Sequence, residues 1–264
     1  MSRVSIPVTA WGNIRWNVRE IRDSFLASES LGERVRQFRE GRIERIRKGN
    51  VPVPLENGPR IVMHVIPLAA ESRIDRISVP LMPTQVERLG PLLGMGWNFR
   101  FNLDGFLTFN GRITPATTAP PSTSYVQVFR TGALEAVDAR TISIKNNRPV
   151  MPGSAFETRM VQSLERYLEA LKNLGVSPPM VVGITLMGVL NCVTAEDVDP
   201  RSWEDPQPLN EDLVPLPEVL IEEYGVKAPT ILRSSFDIIW QSMGRPGSPY
   251  FNNEGKWDAT SFPR

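Results

Sequence analysis

Asn98, Arg100, Asn102 and Asp104 occupy alternate positions of the stretch WNFRFNLD, Trp97 to Asp104. Side chains of an extended chain alternate between faces, so these four share one side of a strand and Trp97, Phe99, Phe101 and Leu103 share the other. Two amides, a guanidinium and a carboxylate in one row are suited to orienting a polar or anionic ligand. The row also has a purely structural reading. In it Arg100 pairs with Asp104 or Glu135, and the asparagines serve turns marked by Asp104-Gly105 and Asn110-Gly111. Both readings expect the aromatic side in the core.

A second cluster is basic. ERVRQFREGRIERIRKG, Glu33 to Gly49, holds six arginines and a lysine in seventeen residues. On a helical wheel Leu31, Val35, Phe38, Ile43 and Ile46 gather on one face and Glu33, Gln37, Glu40 and Glu44 on the other, with Arg39 and Arg42 inside the apolar arc. The pattern favours an amphipathic helix held to the body through Phe38 and Ile46, its arginine stems covering apolar surface and their heads reaching outward. The competing reading is nucleic-acid contact through Arg34, Arg36, Arg45 and Arg47, weak and salt-sensitive. Over the whole chain 30 Lys+Arg stand against 29 Asp+Glu, a formal charge of +1. That lacks the surplus expected of a chain built mainly to hold a phosphate backbone.

Familiar catalytic patterns are missing from the sequence. The one Gly-Lys pair, Gly255-Lys256, precedes a tryptophan where a phosphate-binding loop needs Ser or Thr, and there is no Gly-x-Ser-x-Gly elbow. A single histidine excludes a His-x-x-x-His metal pair, and a single cysteine excludes an internal disulfide. His64 and Cys192 are each expected in or beside a buried strand as core residues. An arrangement of Asp237 with Glu254-Gly255-Lys256 has the residue types of a magnesium nuclease, but a helix and a loop would carry them where such sites use rigid strand ends. Glu135 and Asp138, three apart in a strand, point to opposite faces and cannot chelate together. No catalytic residue, metal ligand or cofactor is assigned.

The elements that position these residues follow from periodicity. Ile14 to Ala27 is helical in spacing, and Ser30-Leu31-Gly32-Glu33 has the form of a capping box opening a second helix. IVMHVIPL from Ile61 reads as a buried central strand, and SYVQVFRTGALEAVDA as two strands joined at Thr131-Gly132. Ala155 to Leu174 and Pro229 to Gly244 read as helices flanking the apolar strand MVVGITLMGVL. The fold class is therefore α+β: a two-helix lead-in over residues 1–50, then one domain over 51–264 with a mixed, largely antiparallel sheet covered by helices. The longest apolar stretch falls short of the roughly 20 residues of a membrane span, and no signal peptide is visible, so a soluble cytoplasmic protein is expected.

Several blocks together resemble a known family. NVREIRDSFLASESLGERVRQFREGRIERIRKG, PVPLENGPRIVMHVIPL, GWNFRFNLDGFLTF, SYVQVFRTGALEAVDA and IIWQSMGRPGSPYFNNEGKW are similar to the C-terminal region of bacterial proteins that carry an N-terminal Schlafen AlbA-type domain and bear DNA-binding or ATP-binding labels. Nothing in Met1 to Trp16 supplies the AlbA-type domain, where those labels reside. The resemblance therefore implies a non-enzymatic accessory, sensor or regulatory module working beside a nucleic-acid-binding domain or a protein partner, in regulation or phage defence. The alternative is a hydrolase or metal-dependent nuclease with an unconventional site.

Overall fold

The computed structural model describes residues 18–71, 77–92, 94, 96–111, 120–196 and 207–259, with side chains of the first helix described from Leu31 onward; the segment Met1 to Trp16 lies outside these residues. In chain order the elements are α1 (Val18–Arg47), β1 (Arg60–Pro67), β2 (Asn98–Phe101), β3 (Gly105–Phe109), β4 (Ser124–Phe129), β5 (Leu134–Asp138), β6 (Ser143–Lys145), β7 (Arg148–Met151), α2 (Gly153–Asn173), β8 (Met180–Met187), β9 (Val193–Thr194), β10 (Leu213–Pro215), β11 (Val219–Ile221) and α3 (Ala228–Ser242). The main sheet runs β10-β8-β1-β5-β4-β3-β2, with β11 also on β8, and every pairing in it is antiparallel. A small sheet, β6-β7-β9, includes one parallel pair. This is the α+β architecture expected from the sequence.

The two faces of the main sheet differ in chemistry. Met63, Val126, Ala136 and Ile184 face a core closed by Phe156, Met160, Leu164 and Leu171 of α2 and by Phe236 of α3. On the opposite face the register sets Gly183, His64, Glu135, Gln127, Leu107 and Arg100 in one cross-sheet row. Helix α1 covers this face through Ile43 and Ile46, which pack with Val62, Leu107, Tyr125 and Val137. Val35 and Phe38 extend the contact to Ile66 and Phe129. The anchoring of α1 through Phe38 and Ile46 is thus as its spacing suggested.

The lead-in is one helix where two were expected. Ser30 to Glu33 lies inside α1, so Ser30 never leaves helical backbone to act as a cap, and Glu33 instead accepts from Arg36 at 2.8 Å and Gln37 at 3.0 Å. Gly32 weakens a helix interior by only about 1 kcal/mol, too little to break one supported on both sides. Helix α1 stops at Gly49, whose φ of +76° suits glycine, and the Asn50 N–H closes the end on the Arg45 carbonyl.

A second departure concerns the aromatic side of Trp97 to Leu103. β2 is the last strand of the sheet, beyond the reach of α2 and α3, so Phe99, Phe101 and Leu103 are 43%, 53% and 90% exposed.

The turn that carries β2 into β3 depends on Gly105. Its φ is +147°, and a Cβ there would run into the Val128 carbonyl of β4, which is backbone and cannot swing away. Gly105→Ala is therefore expected to lower the unfolding free energy by about 2–4 kcal/mol in urea denaturation. A midpoint equal to the parent's would show that the turn rearranges freely.

Near the other end of the molecule, Glu157 of α2 is fully buried and forms no ion pair among the described residues. Its Oε1 accepts from the Trp240 indole at 2.8 Å and the Ser248 hydroxyl at 2.6 Å, and its Oε2 from the Trp257 indole at 2.8 Å. Glu196 receives the Tyr250 hydroxyl at 2.8 Å and the backbone N–H groups of Gly153 and Ser154 at the start of α2. These two carboxylates tie the chain after α3 to the body.

Candidate functional site: a basic cleft between α1 and β2

Arg42 leaves α1 towards the sheet and meets Glu135 of β5 in a two-pronged contact, Nε to Oε2 and Nη2 to Oε1, both 2.8 Å. Glu135 also receives the Tyr125 hydroxyl at 2.8 Å and His64 Nε2 at 3.1 Å. Burial alone would raise the Glu135 carboxyl, but the hydrogen bonds from Arg42 and His64 outweigh it and hold the carboxyl at about 2. Burial pushes the His64 imidazole below its ordinary value despite Glu135, so the ring is neutral and donates through Nε2, leaving Nδ1 without a partner among the described residues. Phe38 stands edge-on to that ring at 6.2 Å. The His64 and Glu135 pair is fully buried under α1, so no substrate reaches it with the helix in place.

Arg39 is buried one turn earlier. Its guanidinium lies against Gly183, donates to Glu218 at 2.6 Å and Thr185 at 3.3 Å, and leaves Nε unpaired among the described residues. The expectation that arginine heads on the apolar arc reach outward is corrected here. Both heads turn inward, because carboxylates on β5 and beside β11 supply the counter-charge that burial requires.

The outer arginines divide between the two flanks of α1. Arg36 and Arg47 line a groove of about 720 Å³ with Leu213, Pro215 and Pro217, whereas Arg45 lines a separate cleft beside β2. Arg34, eleven positions before Arg45, shares its flank. The four residues considered for nucleic-acid contact therefore do not form one surface, and Arg36 is already paired with Glu33.

The cleft beside β2, about 530 Å³, brings together residues far apart in sequence: Arg42, Arg45, Asn50 and Pro52 from the end of α1 and its loop, and Arg100 to Asp104 from the other side. Of the four alternating polar residues, three have structural partners. Asn98 donates to the Gly111 carbonyl. Arg100 donates to the Pro52 carbonyl at 2.6 Å and lies 5.4 Å from the Phe109 ring centroid. Asn102 accepts from the Gly105 N–H at 2.8 Å and donates to Gln127 at 2.6 Å. The Asp104 side chain makes no hydrogen bond or ion pair among the described residues, although its charge acts on Arg42. The pairing of Arg100 with Glu135 or Asp104 is not formed, since Glu135 is taken by Arg42 and Arg100 spans to the α1 loop. Arg45 is exposed and has no side-chain partner among the described residues, and Arg100 keeps Nε and Nη1 free of one. The cleft therefore presents two cations beside a neutralised Arg42–Glu135 pair, with the Asp104 carboxylate also in its lining and close enough to favour the charged form of Arg42.

Other chemistry-bearing groups are engaged elsewhere. Burial pushes the Cys192 thiol up to about 12, where it is a poor nucleophile at neutral pH. Asp237 accepts the Ser248 N–H at 2.8 Å and lies 3.7 Å from Arg233. Glu254 and Lys256 sit in an exposed turn organised by Asn252, whose side-chain oxygen accepts both their backbone N–H groups. Sequence reasoning missed Tyr125, Glu218, Thr185, Asn50 and Pro52. A signal existed for Glu218 and Thr185: arginines inside an apolar arc demand acceptors. Among the described residues no helix is long and apolar enough to cross a membrane.

Compared with known proteins, the chain matches no family model, no curated protein and no solved structure.

Proposed function

We propose that this protein is a non-enzymatic recognition module of the cytoplasm, and that the cleft between α1 and β2 receives an anionic group. The observation that carries this reading is the convergence of Arg45 and Arg100 on an open polar cleft, each with donors left over, while His64, Glu135 and Cys192 are sealed away. Guanidinium groups are always charged and offer forked donors matched to phosphate or carboxylate oxygens. The position of Arg45 in the last turn of α1 is also suited to its helix dipole. The resemblance to the partner region of Schlafen AlbA-type proteins gives this binding a setting, an accessory or sensor acting with a nucleic-acid-binding domain or protein partner in regulation or phage defence.

Tripolyphosphate is the simplest probe. Calorimetry at low salt should show it bound by the parent and weakened at least about tenfold by Arg45→Gln or Arg100→Gln, since a charge-assisted hydrogen bond contributes about 1.5–3 kcal/mol. No binding by a folded parent would overturn the reading. Magnesium-dependent turnover of ATP or DNA, lost in Glu254→Ala, would instead establish the hydrolase or nuclease alternative.

A further inference from the structure

The exposed aromatic edge lies against the basic cleft, with Phe101 and Leu103 lining it and Phe99 one step along the same strand. Phe99 and Phe101 pack at a tilt, 38° and 58°, against the buried Phe106 ring, at 5.4 and 5.7 Å between centroids. They are thus supported from beneath while presenting ring surface to solvent. Two exposed aromatic side chains at alternate positions of one terminal strand, continued by Leu103 in the turn that follows, lack an explanation in the fold, because solvent-facing strand positions ordinarily carry polar groups.

We infer that the cleft and this edge together bind single-stranded nucleic acid. The inference rests on the anionic reading of the cleft and names its ligand. Arg45 and Arg100 would take backbone phosphates, and Phe101 and Phe99 would stack unpaired bases, the combination by which single strands are held without sequence preference. Arg100 and the two rings alternate between the faces of β2, so the bound strand wraps the open edge of the sheet, which a flexible single strand can do. Asn50 and Asp104, whose side chains make no hydrogen bond among the described residues, would meet base edges or sugar hydroxyls; Asp104 in particular accepts from exocyclic amino groups and repels phosphate, which sets the backbone on the Arg45 side. A duplex offers the same phosphates but keeps its base faces stacked, so the aromatic edge selects against it. A protein partner or second copy would cover the rings equally well, but it would leave the charge of Arg45 and Arg100 unexplained.

The test uses a fluorescein-labelled twelve-residue oligothymidylate and a duplex of equal length in anisotropy titrations, with tripolyphosphate calorimetry in parallel. The parent should bind the single strand at least about tenfold more tightly than the duplex. Phe101→Ala should weaken the single strand by roughly 5- to 100-fold and leave tripolyphosphate binding unchanged. Arg45→Gln with Arg100→Gln should weaken both probes and flatten the salt dependence by about 1.4 log units per log unit of salt. Equal affinity for single strand and duplex, unaffected by Phe101→Ala, would overturn the inference while the anionic reading stands; failure to bind tripolyphosphate as well would remove both. A parent dimer by sedimentation that Phe101→Ala converts to monomer, with no oligonucleotide bound, would assign the edge to contact between copies and likewise overturn it.

Discussion

Glu135→Leu should cost about 3–5 kcal/mol of unfolding free energy, a large part of what a domain of this size has to lose. The loss comes from stranding Arg42, whose guanidinium has Glu135 as its bidentate partner beneath α1, and from leaving the Tyr125 hydroxyl and His64 Nε2–H unsatisfied. Adding Arg42→Met should return part of it, because the unpaired charge goes while the two neutral donors remain. A double-mutant cycle in urea measures the coupling directly, and additive effects would show that the pair is not the locking contact. The same network sets the acid response. A Glu135 carboxyl at about 2 is depressed relative to its unfolded value near 4.3, so its stabilisation is present above that value and is lost as pH falls towards 2. His64 is also depressed, so the unfolded chain takes up its proton first and stability begins to fall below about 6.5. Unfolding free energy should therefore decline in two stages on acidification, and Glu135→Gln should remove the lower one. A flat profile from pH 7 to 3 would contradict this account.

Glu157→Leu should be nearly as damaging, at about 3–5 kcal/mol, since it strands the buried Trp240 indole N–H and Ser248 hydroxyl and releases the half-buried Trp257 indole. Tryptophan fluorescence should report it, with Trp257 moving into solvent as the segment after α3 loosens. The pH dependence here has the opposite sign. Burial outweighs the three donors and raises the Glu157 carboxyl, so its contribution is complete below the unfolded value and declines as pH rises through the folded one. Glu157→Gln should remove that decline and retain the bonds to Trp240 and Ser248, at a smaller cost than leucine. If leucine and glutamine variants match the parent in stability, the carboxylate does not hold this segment.

The strands and helices were legible because their burial is local and periodic: Phe156, Met160, Leu164, Leu168 and Leu171 announce the buried face of α2, and the apolar run of β1 announces a central strand. Position within the sheet was not legible. Alternation in Trp97 to Asp104 revealed a strand but not that it would be the last one, and being last is what leaves Phe99 and Phe101 exposed. The cleft was half visible. Arg100, Asn102 and Asp104 stood out by type, and Arg45 stood out in the basic run, but nothing in one dimension said that the end of α1 returns beside β2. The split of the basic run into two flanks became clear only once Arg39 and Arg42 had fixed which side of the helix faces down.

The contact between Arg39, which is buried, and Glu218, which keeps one side in solvent, joins residues 179 positions apart. During synthesis the first helix is made long before the carboxylate that neutralises it, so Arg39 cannot be sealed in its final place until the edge of the sheet beside β8 has been completed. Helix α1 is thus latched by a residue just before β11. A ribosome product ending short of Glu218 carries a helix with a cation it cannot afford to bury, which makes translation through Glu218 a condition for closing the α1 face.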